Sequence, residues 1–428
     1  MSRAVALATE RYPSVRVSEE QLEAARSAIN LARTAWLPRV DAHAQLNRGT
    51  HNNVFGVLFP QSAIPPISGP VTPSTWQNVW GSAVGALVSW EPFDFGLRNA
   101  NVAVSAAGQK RAEAAVRRTK FEVAALAADA FLTVAAGQQL VEAAQAGVDR
   151  AKVLETLIGA VVRAELRPGV DLTRTQAERA AAETQVAQAQ QAVEVARATL
   201  AQFVGLKPEE IRIDPGKTSG PPPILTAESP LDAHPRAVEQ AAAIDEAVAR
   251  EKALDRAYFP KFNVQGATFG RGTGAHPDGS AGEWFSGFGP TAGNWAIGFA
   301  VNFAIFDFAQ IRARREIEAH NERAESARLE QVRREIGGAR DRAIAQYQGA
   351  RRIAENTPVQ LKAARDTQEQ ASARYRAGLS TAVEIADAQR LLTQAEIDDS
   401  LARLNVWRSL LAVAAASGDL DPFLEKTK

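Results

Sequence analysis

The sequence repeats itself, and two tandem copies of one plan restrict its possible folds more than any single motif does. Tyr12-Pro13 returns as His234-Pro235, and Ala-Trp-Leu-Pro-Arg-Val at 35–40 returns as Ala-Tyr-Phe-Pro-Lys-Phe at 257–262, both shifted by about 222 positions. Further on, Phe93-Asp-Phe95 returns as Phe306-Asp-Phe308 and Val170-Asp-Leu172 as Val383-Glu-Ile385, now shifted by about 213. The change of shift puts a length difference in the loop between the paired strands of each copy. One supersecondary plan used twice is the economical reading.

Each copy opens with a helix, over about residues 14–36 and 235–259. Leu22, Ala25, Ile29 and Ala32 keep helical spacing, and Ser18 with Gln21 offers a capping box. Pro38 and Pro260 stop these helices, since proline cannot continue the backbone ladder. The period then switches to two. Val40, Ala42, Ala44 and Leu46 alternate with Asp41, His43, Gln45 and Asn47. Gly/Pro-rich segments at 49–78 and 270–293 read as exposed loops, each followed by a second strand.

Those second strands carry the most informative contrast. Trp295, Ile297, Phe299, Val301, Phe303 and Ile305 share one face, opposite Asn294, Ala296, Gly298, Ala300, Asn302 and Ala304. Trp80, Val84, Val88 and Trp90 stand likewise against Gly81, Ala83, Gly85 and Ser89. A soluble sandwich strand shows charge on its outer face, whereas here the opposite face is small and uncharged. A membrane-barrel strand of about ten residues has this pattern, with a soluble sheet as the competing reading of the alternation.

Each copy next enters a very long helix at Phe-Asp-Phe, with Asp94 and Asp307 as N-caps and Gln310 adding capping-box character. Residues 97–163 and 310–376 each give about 67 residues, or roughly 100 Å of helix. Gly337-Gly338 and Pro358 predict a kink in the second. The apolar positions are mostly alanine, which lets helices pack closely side by side but makes a poor globular core. Shorter return helices follow, over 172–203 and 383–416. Between long and short helix lies a tight tip. Gly378 suits a helix C-cap, and Ser380 and Thr381 suit an N-cap, with Glu384 completing a capping box. A Pro-rich connector at 205–233, with a short strand at 211–213, joins the copies, and residues 417–428 form a short polar tail.

Composition removes several function classes. Charge balances, with 49 basic and 49 acidic residues, so nucleic acid has no electrostatic footprint. Cys is absent, which removes disulfides, thiol catalysis and thiolate metal sites. The five histidines have no metal-ligand spacing, and His276 with Asp278 makes too few ligands for a site. Gly270-Arg-Gly-Thr-Gly274 follows no strand-to-helix turn, so it is no phosphate cradle. Asp398-Asp399 reads as a solvated helix face. No catalytic motif is present, and no enzyme, cofactor or metal is expected. No apolar run reaches the roughly 20 residues of a membrane-spanning helix.

Strand pairs ending in Phe-Asp-Phe, long alanine-rich helices, Gly-containing tips and a duplication together resemble the outer-membrane efflux protein family, the TolC-like channels. The match runs from Val5 to about Gly418, and rests on Phe93-Asp-Phe-Gly96 and on Tyr375-Arg-Ala-Gly378 followed by Glu384, Asp387 and Ala388-Gln389. The resemblance implies a mainly α fold with a transmembrane β-barrel portion. Each tandem-duplicated protomer gives long α-helical hairpins and four strands, and a homotrimer forms a 12-stranded barrel on a periplasmic α-helical barrel. Residues 1–36 and 97–204 are then first-repeat helices and 37–96 the first strand pair with its extracellular loop. Residues 205–233 form an equatorial connector, 234–259 and 309–416 second-repeat helices, 260–308 the second strand pair, and 417–428 the tail.

The same resemblance implies an exit duct of a tripartite efflux or secretion system in the bacterial outer membrane. Its partners are a periplasmic adaptor, an inner-membrane pump and outer-membrane lipid. Glu384 and Asp387, one helical turn apart, match the family's acidic constriction, and Tyr375 matches a tyrosine in its gate contacts. Ser380 stands where relatives carry a gate-locking arginine; in the first copy Asp171 and Arg174 occupy the positions of Glu384 and Asp387, and Arg174 is expected to pair with a neighbouring carboxylate. Adaptor docking falls to the tips, at Arg163, Glu165, Leu166 and Arg167, and at Arg376, Gly378, Leu379, Ser380 and Thr381. Asp94, Gly96 and Asp307 make the strand-to-helix junctions. The N-terminus has too short an apolar core for a secretory signal, and Val5 to Pro13 resembles the later part of the family's first helix. The family pattern is therefore expected to begin upstream of Met1. The alternative is a soluble coiled-coil scaffold with a small β-domain, in which the Trp295 face is buried.

Overall fold

The computed structural model describes residues 1–50, 76–165, 168–214, 230–276, 280–303 and 306–427. Leu166, Arg167, Asp278, Ala304, Ile305, most of the first loop and the middle of the connector lie outside them. The chain runs α1 (Ser2–Arg11), α2 (Pro13–Thr34), β1 (Arg39–Thr50), β2 (Asn78–Phe93), α3 (Leu97–Arg163) and α4 (Gly169–Val204), then α5 (Pro235–Arg256), β3 (Lys261–Thr273), β4 (Ala292–Asn302), α6 (Phe308–Arg376), α7 (Ala382–Ser417) and α8 (Asp421–Lys426). It is mainly helical with one small antiparallel sheet. Two compact units result. One holds Met1–Leu22, Arg111–Ala241 and Ser326–Lys428, and the other Glu23–Lys110 and Ala242–Glu325.

The second unit contains the sheet, in the order β1-β2-β3-β4, every pair antiparallel. Cross-strand partners share a face, so the register sorts the side chains. Val40 pairs with Val88, Val88 with Gly266 and Gly266 with Ile297, which makes one face apolar across all four strands. On that face of β4, Trp295, Ile297, Phe299 and Val301 are 77, 74, 64 and 50 % exposed. The opposite face carries Asp41, His43 and Gln45 beside Leu87, Gly85 and Ala83, with Gln265 and Arg271 from β3. Exposed Trp90 and Phe93 mark the helix-proximal end of β2, where Phe93, Phe95, Phe259 and Phe262 form one ring cluster with centroids 4.6 to 6.1 Å apart.

The other unit is built on thin, alanine-rich seams. Ala128 and Leu132 of α3 pack on Trp407, Leu410 and Leu411 of α7. The neighbouring stripe of α3, Phe131 and Val134, packs on Leu200 and Val204 of α4. Glycine permits still closer approach in one place: a Cβ on Gly137 of α3 would meet the Val193 side chain of α4 at 2.7 Å. Ala364 of α6 packs on Leu392 and Ala395 of α7. Burying one such Leu or Val is worth about 1.5–3 kcal/mol, so many short seams are needed to hold long helices.

Several expectations are corrected. The opening helix expected over 14–36 is α2, and a further helix, α1, precedes it; Pro13 starts α2, a position where its missing N–H is an orphan anyway. Ser18 is no N-cap: it is buried inside α2, and its hydroxyl donates to the Val15 carbonyl at 2.7 Å. Residues 270–273 belong to β3 rather than to a loop. No strand forms at 211–213, although Ile211 is buried against the end of α4. The tail is not a loose polar end, because Phe423 of α8 is fully buried with its ring 6.1 Å from Trp407. Asp399 is 1 % exposed, not solvated, and its carboxylate accepts from the Thr357 hydroxyl at 2.9 Å and pairs with Arg403. Finally, α3 does contain a window long and apolar enough to cross a membrane by length and composition, and 56 % of that window is buried.

Candidate functional site

The second tip forms as its residues dictate. Gly378 takes a left-handed φ of 73°, its N–H donates to Tyr375 O at 2.9 Å, and Leu379 N–H donates to Arg374 O at 2.8 Å. This paired arrangement is the Schellman end that glycine favours. Thr381 caps α7, its hydroxyl accepting from Glu384 N–H at 3.4 Å. Ser380 is buried, and its hydroxyl donates to the Ala371 carbonyl of α6 at 3.5 Å.

The candidate gate residues do not share one environment. Glu384 and Asp387 are both exposed on α7, and their i,i+3 spacing puts them on one face. Asp387 is paired with Arg390, 2.5 Å away. Arg390 was missed in the sequence, although its i,i+3 spacing from Asp387 signals the pair. Tyr375 is buried in a cluster with Leu154 and Ile158 of α3 and Ala382, Ile385 and Ala386 of α7. Within the chain its ring packs the tip together.

The first tip is the weaker copy. Glu165 stands 213 positions before Gly378 (378 − 165) and takes the same left-handed conformation, φ 59°. A side chain is strained there, whereas glycine is not. The N-cap of α4 is Pro168, which provides no side-chain cap bond. Asp171 lies in the first turn of α4, where the helix dipole favours a carboxylate. Arg174 is exposed, and among the described residues it has no carboxylate partner within the chain, so the expected pair is not formed there. Arg163 ends α3, Arg376 ends α6 and Leu379 is exposed.

Above the tips, α3, α4 and α7 enclose a groove of about 440 Å³ lined by Gly147, Glu178, Gln185, Gln389, Arg390 and Thr393. Arg150 of α3 ties α7 beside it, with hydrogen bonds to Thr393 at 2.8 Å and Glu396 at 2.7 Å. Gly147 makes this crossing close, since a Cβ would stand 3.0 Å from the Thr393 side chain, which would have to shift slightly to admit it.

The strand-to-helix junction at Asp94 is a built site. Asp94 accepts from Gly96 N–H at 3.1 Å, from Arg98 N–H at 2.6 Å and from Arg98 Nε at 2.9 Å. The guanidinium lies 4.3 Å over the Trp36 ring, and its Nη1 donates to the Ala35 carbonyl at 3.1 Å. Burial alone would raise the Asp94 carboxyl. The N–H groups and guanidinium outweigh it and hold the group below its ordinary value. The second copy differs, with Ile311 at the Arg98 position and its N–H donating to the Asp307 carbonyl at 2.9 Å.

His234 starts the second copy, buried against Phe121 at 5.5 Å. Its Nδ1 accepts from Arg236 N–H at 3.2 Å, and Nε2 lies 3.3 Å from the Ala415 carbonyl, an arrangement satisfied by a proton on Nε2. Among the described residues no His, Asp and Glu group is arranged to hold a metal ion.

The outer membrane efflux protein family matches residues 4–206 and 229–419, both copies and nearly the whole chain. The chain belongs to the outer membrane efflux protein family. It is therefore an outer-membrane efflux channel, a transport duct and not an enzyme. Among solved structures, the fold is similar to the outer-membrane channel OprN, at 22 % identity and a TM-score of 0.74, over 97 % of this chain and 89 % of that one. CusC aligns at 15 % identity and a TM-score of 0.78, over 98 and 92 %. The CmeC outer membrane channel of Campylobacter jejuni aligns at 14 % and 0.74, over 100 and 89 %. By sequence, no curated protein matches the chain.

Proposed function

We propose that three copies of this efflux-family chain close into one duct through the outer membrane. An inner-membrane pump and a periplasmic adaptor feed the duct, and the hairpin tips form its periplasmic gate. The observation that carries this reading is the sheet. Four strands expose a continuous apolar face, and β1 and β4 each have one unpaired edge within the chain. In lipid each unsatisfied backbone group costs several kcal/mol, so such a sheet must close with copies of itself. Three copies of a four-stranded sheet give twelve strands, an even number as such barrels require. A soluble scaffold would have to bury the Trp295 face, which here is exposed.

At the gate, Glu384 and Asp387 face solvent while Arg390 neutralises part of their charge. One positive and two negative side chains leave one net negative charge per chain. Three copies would give a constriction of modest cation preference. Tyr375 acts in this reading as the packing that fixes α7 against α6 and α3. The adaptor is proposed to meet the tips at the first-tip residues Arg163 and Glu165 and at Arg376, Gly378, Leu379, Ser380 and Thr381, with the α3–α4–α7 groove beside them.

The test is extraction and mass. The chain should require detergent for extraction, run as a trimer and conduct ions in a planar bilayer. A stable monomer in detergent-free buffer would refute the reading.

A further inference from the structure

We infer that Arg48 is a binding site for the phosphate of an outer-leaflet lipid headgroup, on the membrane-facing side of the sheet. The inference rests on the barrel proposed above. Register places Arg48 opposite Trp80, on the same face as Val40, Val88 and Ile297. Among the described residues it is the one charged residue that the strand register puts on that face. A charge there is expensive in hydrocarbon and persists only where it finds a polar partner at the interface.

Its surroundings are built. The Arg48 guanidinium lies 3.9 Å from the Trp284 ring centroid and 5.1 Å from that of Trp80, and its Nε donates to Asn78 at 2.8 Å. Trp284 reaches it because residues 284–289 fold down onto this face. Phe288 of that segment packs edge-on against Trp80 at 5.5 Å. Gly272 permits this approach, since any Cβ there would run into the Gly289 carbonyl. Trp76, Trp284 and Phe285 stay largely exposed, as an aromatic rim does at a lipid interface.

Among the described residues the cation lacks an anion, since no carboxylate there lies within ion-pair distance of Arg48. Aromatic rings over a guanidinium leave its edge for in-plane hydrogen bonds, the geometry that phosphate takes bidentately. Apolar surface beside it accommodates acyl chains. A lipid with an anionic phosphate monoester supplies both halves, whereas phosphatidylcholine balances its phosphate with its own ammonium and inorganic phosphate lacks the acyl chains.

Native mass spectrometry of the detergent-solubilised trimer tests this with lipid A and phosphatidylcholine added at equal concentration. The wild type should retain lipid A about tenfold more than phosphatidylcholine. Arg48→Gln should lose that preference, and Arg48→Lys, which keeps charge without the planar fork, should fall between. If the Gln variant does not trimerise, the Lys variant and Trp284→Leu carry the comparison. Equal lipid A retention in wild type and trimeric variants would overturn the site. So would equal retention of the two lipids, or displacement by equimolar inorganic phosphate. A detergent-free monomer would instead overturn the barrel.

Discussion

The hydroxyl of Thr357 donates to the carboxylate of Asp399 at 2.9 Å, in the buried seam between α6 and α7. The carboxylate's second partner is Arg403, one turn along α7. A buried polar pair in a seam of alanines specifies which residues of two long helices lie side by side, because a shifted register would strand both groups.

Removing one partner should therefore cost more than removing both. Asp399→Ala leaves the Thr357 hydroxyl without its acceptor and should destabilise by about 1–3 kcal/mol. Adding Thr357→Val should recover part of that loss, giving a coupling of about 1 kcal/mol in a double-mutant cycle. Denaturant melts of the four proteins measure it, and strict additivity would show that the pair does not act as a unit.

The gate reading predicts opposite shifts from adjacent residues. Arg390→Gln should raise cation preference, because it frees the Asp387 charge, while Glu384→Gln with Asp387→Asn should lower it. Reversal potentials under a salt gradient read both. Unchanged potentials in both variants would remove these residues from the constriction.

Both tips should favour glycine, so removing it from one and adding it to the other should shift stability in opposite directions. Gly378→Ala meets no atom within 4 Å, so its cost is conformational, about 1 kcal/mol. Glu165→Gly relieves a left-handed non-glycine residue and should stabilise by up to about 1 kcal/mol. Thermal melts that move in the same direction for both would contradict the shared left-handed geometry.

His234 makes stability depend on pH in a defined direction. Burial lowers its pKa most. The Ala415 carbonyl raises it, Arg236 lowers it and Glu122 raises it, leaving it below the ordinary 6.5. The unfolded chain then binds the proton first as pH falls. This contribution is complete above about pH 6.5 and is lost as pH drops through the folded value. His234→Gln should flatten that slope in melts between pH 7.5 and 5. An unchanged slope would assign it to other groups.

Much of this protein was legible from short-range pattern. Alternation assigned the exposed apolar faces of β2 and β4, and the caps at Gly378 and Thr381 followed from residue type within one turn. The ends of α3 and α6 at Arg163 and Arg376 also fell where the sequence placed them. Ser18 misled because a capping pattern has the same spelling inside a helix as at its start. Asp399 misled because its charge pattern matched a solvated face.

By itself the sequence determined the duplication, the element types and the two faces of the strands, because these depend on spacing within a few residues. Only the tertiary structure decided which faces meet. Asp399 is buried by Thr357 across 42 positions, and Arg408 of α7 pairs with Asp129 of α3 across 279. Tyr375 became tip packing, and Arg48 gained two rings, through neighbours equally remote in sequence. Burial and pairing are properties of the neighbour as much as of the residue, and local sequence does not name the neighbour.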